Sequence, residues 1–329
     1  YEIMPSLVGS EMCIRDSIKP LPARKSEDKV PLIDCFTAPC KGGCPIHQDI
    51  PEYMELVRRG LYGPALKLIT EKNPLPFLTG TICAHRCQNK CSRNFYDESV
   101  HIRDTKLVAA EHGYGALMAS LKPTAKLPGK KAAIIGGGPT GIAAAYFLAR
   151  GGVETTIFER EAKLGGVPRY VIPAFRISDE ALDKDVALME RLGVEVKCGA
   201  PAPSVEALKK LGYTHILMAT GAWQAGELGI PGNVKGVIGW MKEMKQQVKP
   251  CLEGHVVVVG AGNTAMDAAR VAKRMGRARH HSLPPHQEVH ARRRARAAAR
   301  HRRGRGVHRA GRSRQAGQGY AAVRQDGAR

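Results

Sequence analysis

Two groups of three cysteines are the residues of this 329-residue chain best suited to chemistry. Cys35, Cys40 and Cys44 are spaced C-x4-C-x3-C, and Cys83, Cys87 and Cys91 are spaced C-x3-C-x3-C. Four soft thiolates converging on one centre hold a cubane iron–sulfur cluster, which would leave two over. Two other chemistries use the same residues. Tetrahedral zinc takes them most readily from short C-x2-C knuckles, which the chain lacks. Disulfides need an oxidising compartment. A redox-active C-x-x-C pair is also missing, which argues against a disulfide reductase of the thioredoxin reductase type. His47, His85 and His101 lie near the cysteines and read as solvated or core histidines rather than ligands.

A second chemistry follows the apolar run Ala132–Ile135. There Gly136-Gly137-Gly138-Pro139-Thr140-Gly141 forms a G-x-G-x-x-G turn, with a helix expected over Gly141–Arg150. Gly136, Gly138 and Gly141 let the backbone approach a pyrophosphate, and the helix N-terminus supplies positive potential. The next strand, Thr155–Glu159, ends in an acid placed to accept hydrogen bonds from ribose hydroxyls. Gly260-Ala261-Gly262-Asn263-Thr264-Ala265 repeats the pattern after the Val-rich strand His255–Val259, with Ala265 in place of the third glycine. Gly166, Arg176 and Asp267 are single residues beside these motifs and complete the set of nucleotide-contact candidates. Thiolates and nucleotide turns in one chain suggest a flavoprotein wired to an iron–sulfur cluster.

These sites need elements to hold them. Asp49-Ile50-Pro51-Glu52 reads as an N-cap with proline in the first turn, Tyr62–Ile69 as a helix ended by Asn73-Pro74-Leu75-Pro76, and Ile102–Leu121 as a longer helix. Beyond the linker Lys122–Lys131 the period changes to strand and helix in alternation. Ser178–Leu192 and Met266–Met275 are expected helices, and Val194–Cys198 and His215–Ala219 expected strands. The fold class is therefore α+α/β: an all-α iron–sulfur domain (18–122), then Rossmann-like domains for FAD (123–250) and NAD(P)H (from 251), the last two incomplete.

The formal charge of +21 would ordinarily point to nucleic acid. Its source is local, since Arg279–Arg329 holds fourteen arginines against Glu288 and Asp326 alone. That stretch has no helical or strand period, and a one-nucleotide change of reading frame from Leu283 onward permits an apolar–acidic pattern containing Tyr-Arg-Arg. Residues 280–329 are accordingly expected to be a frame-shifted, disordered tail, with no nucleic-acid partner. Tyr1–Ser17 resembles translated sequencing adapter and lacks the basic and apolar regions of a signal peptide. No run of eighteen apolar residues is present to span a membrane, and the cytoplasm is the expected compartment. The rival readings are a zinc-stapled, basic nucleic-acid-binding protein and a chain too incomplete to act alone.

Several segments together resemble one family. CFTAPCKGGCPIHQDIPEY (Cys35–Tyr53) and NPLPFLTGTICAHRCQNKC (Asn73–Cys91) are similar to the iron–sulfur domain shared by the glutamate synthase small subunit and dihydropyrimidine dehydrogenase. IIGGGPTGIAAA (Ile134–Ala145), LGGVPRYVIPAFR (Leu164–Arg176), Ala219-Thr220-Gly221 and GNTAMD (Gly262–Asp267) follow in that family's order, and the wording is most similar to its YgfK-type branch, whose members carry the name selenate reductase subunit. The resemblance implies FAD at the first turn, NADPH at the second (NADH being the alternative), and electrons passed on to an acceptor domain or subunit. It implies Cys44, Cys83, Cys87 and Cys91 as ligands of one [4Fe–4S] cluster and Cys35 and Cys40 as ligands of a second. Against that second cluster, Leu32 and Lys106 stand where relatives have a cysteine and a Gln or Glu, and a lysine ammonium has no lone pair to give. The Tyr-Arg-Arg segment that binds the NADPH 2′-phosphate in relatives, and the closing part of their FAD domain, are not found in the literal sequence.

Overall fold

A computed structural model describes residues 37–95, 97–224, 234–246, 255–260, 262–275 and 322–326. Their contacts divide the chain into two compact units, Tyr1–Arg169 with Ala174–Thr220, and Tyr170–Pro173 with Gly221–Arg329. The division after Thr220 falls earlier than the sequence pattern suggests, and the helical and first nucleotide-binding modules share one unit.

The first unit opens with helices α1 (Pro39–Gly43), α2 (Ile50–Arg58), α3 (Tyr62–Thr70), α4 (Pro76–Ile82) and α5 (Ile102–Ser120), with short 3-10 turns at Gln88–Lys90 and Ser92–Phe95. Tyr53, Ile50, Leu66 and Ile69 are fully buried among them. Small residues let α5 lie close to its neighbours. A Cβ at Gly113 would stand 2.4 Å from the Tyr62 carbonyl oxygen, and one at Gly80 3.1 Å from Leu107 Cα. Two sequence expectations change here. Asp49 does occupy the N-cap of α2, but its side chain makes no capping bond. It pairs instead with Lys41 and, at 2.7 Å, with Lys72, two cations that outcompete a backbone amide for a carboxylate. The prolines read as ending α3 also begin α4, because proline's missing N–H costs nothing in a first turn.

The same unit continues as alternating strand and helix: β1 (Lys131–Ile135), α6 (Pro139–Arg150), β2 (Glu154–Glu159), α7 (Val167–Tyr170), α8 (Asp179–Glu190), β3 (Glu195–Cys198), α9 (Val205–Lys210) and β4 (His215–Met218). All three strand pairings are parallel, in the order β3-β2-β1-β4. Parallel neighbours need crossover helices, and β1 and β2 are buried, β1 through alanines and isoleucines and β2 with Thr155, Thr156 and Glu159 among its buried residues. Ala133, Phe158, Leu208 and Tyr213 form one core cluster against it. Ser178 and Ser204 cap α8 and α9 with their hydroxyls.

The second unit carries β5 (Val234–Gly236), α10 (Val237–Gln246), β6 (His255–Val259), α11 (Asn263–Arg274) and β7 (Ala322–Asp326). Its sheet has the order β5-β7-β6 with both pairings antiparallel. The Arg-rich tail was expected to hold no element, yet five of its residues form the central strand. Strand β6 has backbone groups that must be paired, and β7 supplies partners from Val256 through Val259 irrespective of side-chain pattern. The rest of 280–329 and all of 1–17 lie outside the described residues. Among the described residues no helix is long and apolar enough to cross a membrane.

Candidate functional site

Four cysteines of the first unit lie at helix ends. Cys44 is the C-cap of α1, Cys83 the C-cap of α4, and Cys87 and Cys91 flank the 3-10 turn Gln88–Lys90. At such positions the chain changes direction and side chains from separate elements can converge. Contact between the two groups is close, since a Cβ at Gly43 would meet Lys90 Cγ at 2.8 Å and Cys87 Cα at 3.4 Å. His47 and His85 take left-handed backbone at φ 48° and 39°, and the His85 amide points at Cys83 Sγ over 3.4 Å. Left-handed non-glycine residues are costly and need surroundings that enforce them.

Electrostatics report the same grouping. Burial pushes the Tyr53 phenol well up, and Cys87, Cys40, Cys44 and Cys83 add to it in that order. Burial and the thiols of Cys44 and Cys83 likewise push Cys87 up. Lys106 is 8 % exposed. Its burial lowers its pKa, an effect that Cys83, Cys87 and Cys44 oppose. Among the described residues no cysteine stands in a disulfide, and Cys91 is buried. The structure thus brings Cys40 to the same place as Cys44, Cys83 and Cys87, while Cys35 lies outside the described residues. Among the described residues no three Cys, His, Asp or Glu side chains stand together as a group that could hold a metal ion. Soft thiols brought from α1, α4 and the turn Gln88–Lys90 around Tyr53 are the donor type an iron–sulfur centre takes. Lys106 is on hand as a counter-charge. His101 Nδ1 stands 3.4 Å from Asp104 Oδ2.

The first glycine turn joins β1 to α6. Three of its glycines are demanded by the protein itself. A Cβ on Gly136, at φ 108°, would stand 2.4 Å from the Ala219 oxygen, one on Gly137 2.2 Å from Leu164 Cδ2, and one on Gly141 2.0 Å from the Gly136 oxygen. Gly138 is different. It is the extended N-cap of α6, no side chain caps that helix, and the nearest atom to a Cβ there is Gly166 Cα at 3.9 Å. Gly166 closes the other side at φ 56°. An uncapped helix N-terminus beside an open glycine is a cradle of the size and sign that a pyrophosphate fills. Glu159, 7 % exposed, accepts from the Gly137 amide at 2.6 Å and the Glu161 amide at 2.9 Å. Each carboxylate oxygen keeps lone-pair capacity for a ribose hydroxyl.

Arg169, which the sequence pattern did not single out, is the buried polar residue of this loop. It donates to the Leu164 carbonyl and the Asp183 carboxylate, both at 2.5 Å, and fills the space beneath Gly165. Its signal was present in hindsight, as the one cation inside an otherwise apolar segment. Arg176 lies apart from the turn, in a cleft of about 330 Å³ that Phe77, Thr81, Leu107 and Glu111 also line.

In the second unit, Gly260 takes φ 134° and Gly262 is the extended N-cap of α11, again without a side-chain cap. A Cβ on Gly262 would meet nothing within 4 Å. Asn263 and Thr264 are exposed, while Ala265 and Asp267 are buried. Asp267 stands 3.8 Å from Arg270. Ala261 lies outside the described residues.

Comparison with known proteins separates the cysteine-bearing residues from the two nucleotide turns. Residues 27–115 match the model described as dihydropyrimidine dehydrogenase domain II, 4Fe-4S cluster. YgfK of Escherichia coli K12 is 42% identical over 253 residues, 75% of this chain and 24% of YgfK. The NADPH-Fe(3+) oxidoreductase subunit beta of Geobacter sulfurreducens is 34% identical over 266 residues, 77% of this chain and 39% of that protein. The glutamate synthase [NADPH] small chain of Mycobacterium tuberculosis is 31% identical over 263 residues, 74% of this chain and 54% of its own length. The chain thus spans between a quarter and about half of the length of these relatives. Residues 130–310 match the pyridine nucleotide-disulphide oxidoreductase model, and the chain belongs to that family, with a 4Fe-4S domain ahead of its nucleotide-binding region.

Proposed function

We propose that the chain is the electron-entry part of an NAD(P)H-dependent oxidoreductase, taking electrons from NADPH through FAD to a [4Fe–4S] cluster and on to a partner domain or subunit. The observation that carries this reading is the presence, in one compact unit, of thiols grouped around Tyr53 and a glycine cradle open only at Gly138. Cys44, Cys83, Cys87 and Cys91 would hold the cluster, with Cys40 beside them. Gly138 and the α6 N-terminus would hold the FAD pyrophosphate, and Glu159 the ribose. The exposed start of α11, at Gly262, Asn263 and Thr264, would hold the nicotinamide nucleotide. A flavin bound at the first cradle supplies the exchange between hydride and single-electron chemistry. The residues around it bind and orient, and none is assigned as a general acid or base. Relatives named as subunits support an external electron acceptor. That no described cysteine stands in a disulfide supports a reducing compartment, the cytoplasm.

The test is anaerobic purification of the full chain with assay of iron, acid-labile sulfide, zinc and flavin. About one [4Fe–4S] cluster is expected. Stoichiometric zinc without sulfide would overturn the reading. Gly138→Val should abolish flavin binding and leave iron content unchanged, because the added Cβ meets only Gly166 Cα, at an ordinary 3.9 Å, and the side chain occupies the cradle. Unchanged flavin affinity in that variant would refute the cradle's assignment.

A further inference from the structure

Helix α4 is held at both ends. At its start, the Phe77 amide donates to Asp185 Oδ1 at 3.0 Å and the Leu78 amide to Asp185 Oδ2 at 2.8 Å. Asp185 belongs to α8, on the nucleotide-binding side of the first unit, and is 1 % exposed. At its finish, α4 hands the chain directly to Cys83. A helix of this length is a rod of about 10 Å, at about 1.5 Å per residue. The rod has little freedom to slide. Gly80 presses on Leu107 of α5, the Phe77 ring meets Tyr114 edge-on at 5.5 Å between centroids, and Lys184 of α8 stands 5.4 Å over the same Phe77 ring.

We propose that Asp185 is a positioning residue for the cluster: by capping α4 from the nucleotide-binding side it fixes where that helix presents Cys83. The proposal rests on the ligand role given to Cys83 above. It explains a costly feature of the fold. A carboxylate removed from water is disfavoured unless something requires it there. Burial pushes this carboxyl up to about 7, against the pull of the Leu78 and Phe77 amides and of Lys106 on α5. Tyr114 on α5 lies within electrostatic reach of Asp185 and of Lys184 and Glu190 on α8, while Asp183 is engaged by Arg169. Among the described residues Lys106 has no carboxylate in ion-pair range, so its charge acts on both Asp185 and the thiols. The arrangement joins the two modules through one short helix, a buried carboxyl at one end and a ligand at the other.

The experiment compares wild type, Asp185→Asn and Asp185→Glu in the full chain. Without cluster, Asp185→Asn at pH 6 should speed hydrogen exchange of the Phe77 and Leu78 amides about tenfold, the effect of removing one buried acceptor. It should raise iodoacetamide alkylation of Cys83 severalfold, with Cys198 on β3 unchanged as the internal control. Asp185→Glu should restore part of both. The ratio of Asn-variant to wild-type exchange should shrink as pH rises from about 4 to about 7 and level off above, because opening releases the wild-type carboxyl to ionise. A flat ratio would mean packing alone. After anaerobic reconstitution, the reduced cluster of Asp185→Asn should show shifted EPR g values. Unchanged exchange at Phe77 and Leu78 would overturn the cap. Faster exchange with unchanged Cys83 alkylation would overturn its transmission to the ligand. Failure of wild type to take up iron would overturn the cluster reading alone, since the exchange and alkylation arms need no iron.

Discussion

The two glycine turns end strands of similar apolar character, yet they are built into different frameworks. At the first turn, Glu159 holds the Gly137 amide and neighbouring carbonyls exclude any Cβ at Gly136 and Gly141. At the second, a Cβ on Gly262 would meet nothing. The first turn leaves a sheet in which every pairing is parallel, and the second leaves one in which both are antiparallel. The contrast separates two reasons for glycine. Gly136 and Gly141 serve the protein's own packing, whereas Gly138 and Gly262 leave room that only a ligand would use.

Four measurements can break or sharpen this contrast. The largest effect is expected from removing Ala322–Arg329. Strands β5 and β6 would lose their shared partner, and the second unit should lose cooperative unfolding. Trp223 and Trp240 both lie in that unit, so tryptophan fluorescence reads it directly. Hydrogen exchange in β1 and β2 should not change. An unaltered fluorescence transition would show that β7 contributes nothing.

Next comes Gly141→Ala, where the new methyl would overlap the Gly136 carbonyl. A backbone clash of this kind belongs among the exceptional losses, above about 4 kcal/mol. Denaturant titration followed by exchange in β1 should show it, and a loss under about 1 kcal/mol would remove the packing argument.

The third is pH. Asp185 carries a folded-state pKa raised from 3.8 to about 7. A group that holds its proton more tightly when folded stabilises fully below its unfolded value and loses that contribution as pH rises through the folded one. The first unit should therefore weaken between about pH 4 and 7 and level off above, by up to roughly 4 kcal/mol at 1.36 per pK unit. Asp49, Glu55 and Glu195 are shifted the other way and stay ionised across most of that window. Asp185→Asn should flatten the slope. An equal slope in the second unit would assign the effect elsewhere.

The smallest is Gly262→Ala, within about 0.5 kcal/mol because its backbone is extended and the space is empty. A larger loss would mean that the second turn is packed like the first.

The sequence made the parallel framework legible, and for a reason. Strands β1 and β4 and helix α6 follow from local signals: short apolar runs and a glycine turn. What it concealed depends on partners far along the chain. The start of α4 draws its capping group from Asp185, over a hundred residues away. Asp49 looked like a cap and was claimed by Lys41 and Lys72. Strand β7 has no strand-like period, since its order comes from backbone pairing with β6 rather than from its own side chains. The cysteine groups were legible by spacing. That Cys40 stands with Cys44, Cys83 and Cys87 was not, because spacing says nothing of how α1 lies against the turn Gln88–Lys90.

The strand orders also bear on synthesis. Chains emerge from the ribosome N-terminus first, and domains generally fold in that sequence. In the first sheet, β1 and β2 are interior neighbours and are made early, so β3 and β4 can each dock on a surface that already exists. The second sheet has the opposite logic. Its outer strands β5 and β6 are made first and its centre last, and the whole stretch 276–321 must be translated before β7 can enter between them. Until then both carry unpaired edges open to other chains. The first unit can therefore be complete on the ribosome while the second is still exposed, and the nascent chain is most vulnerable to misassociation in that interval.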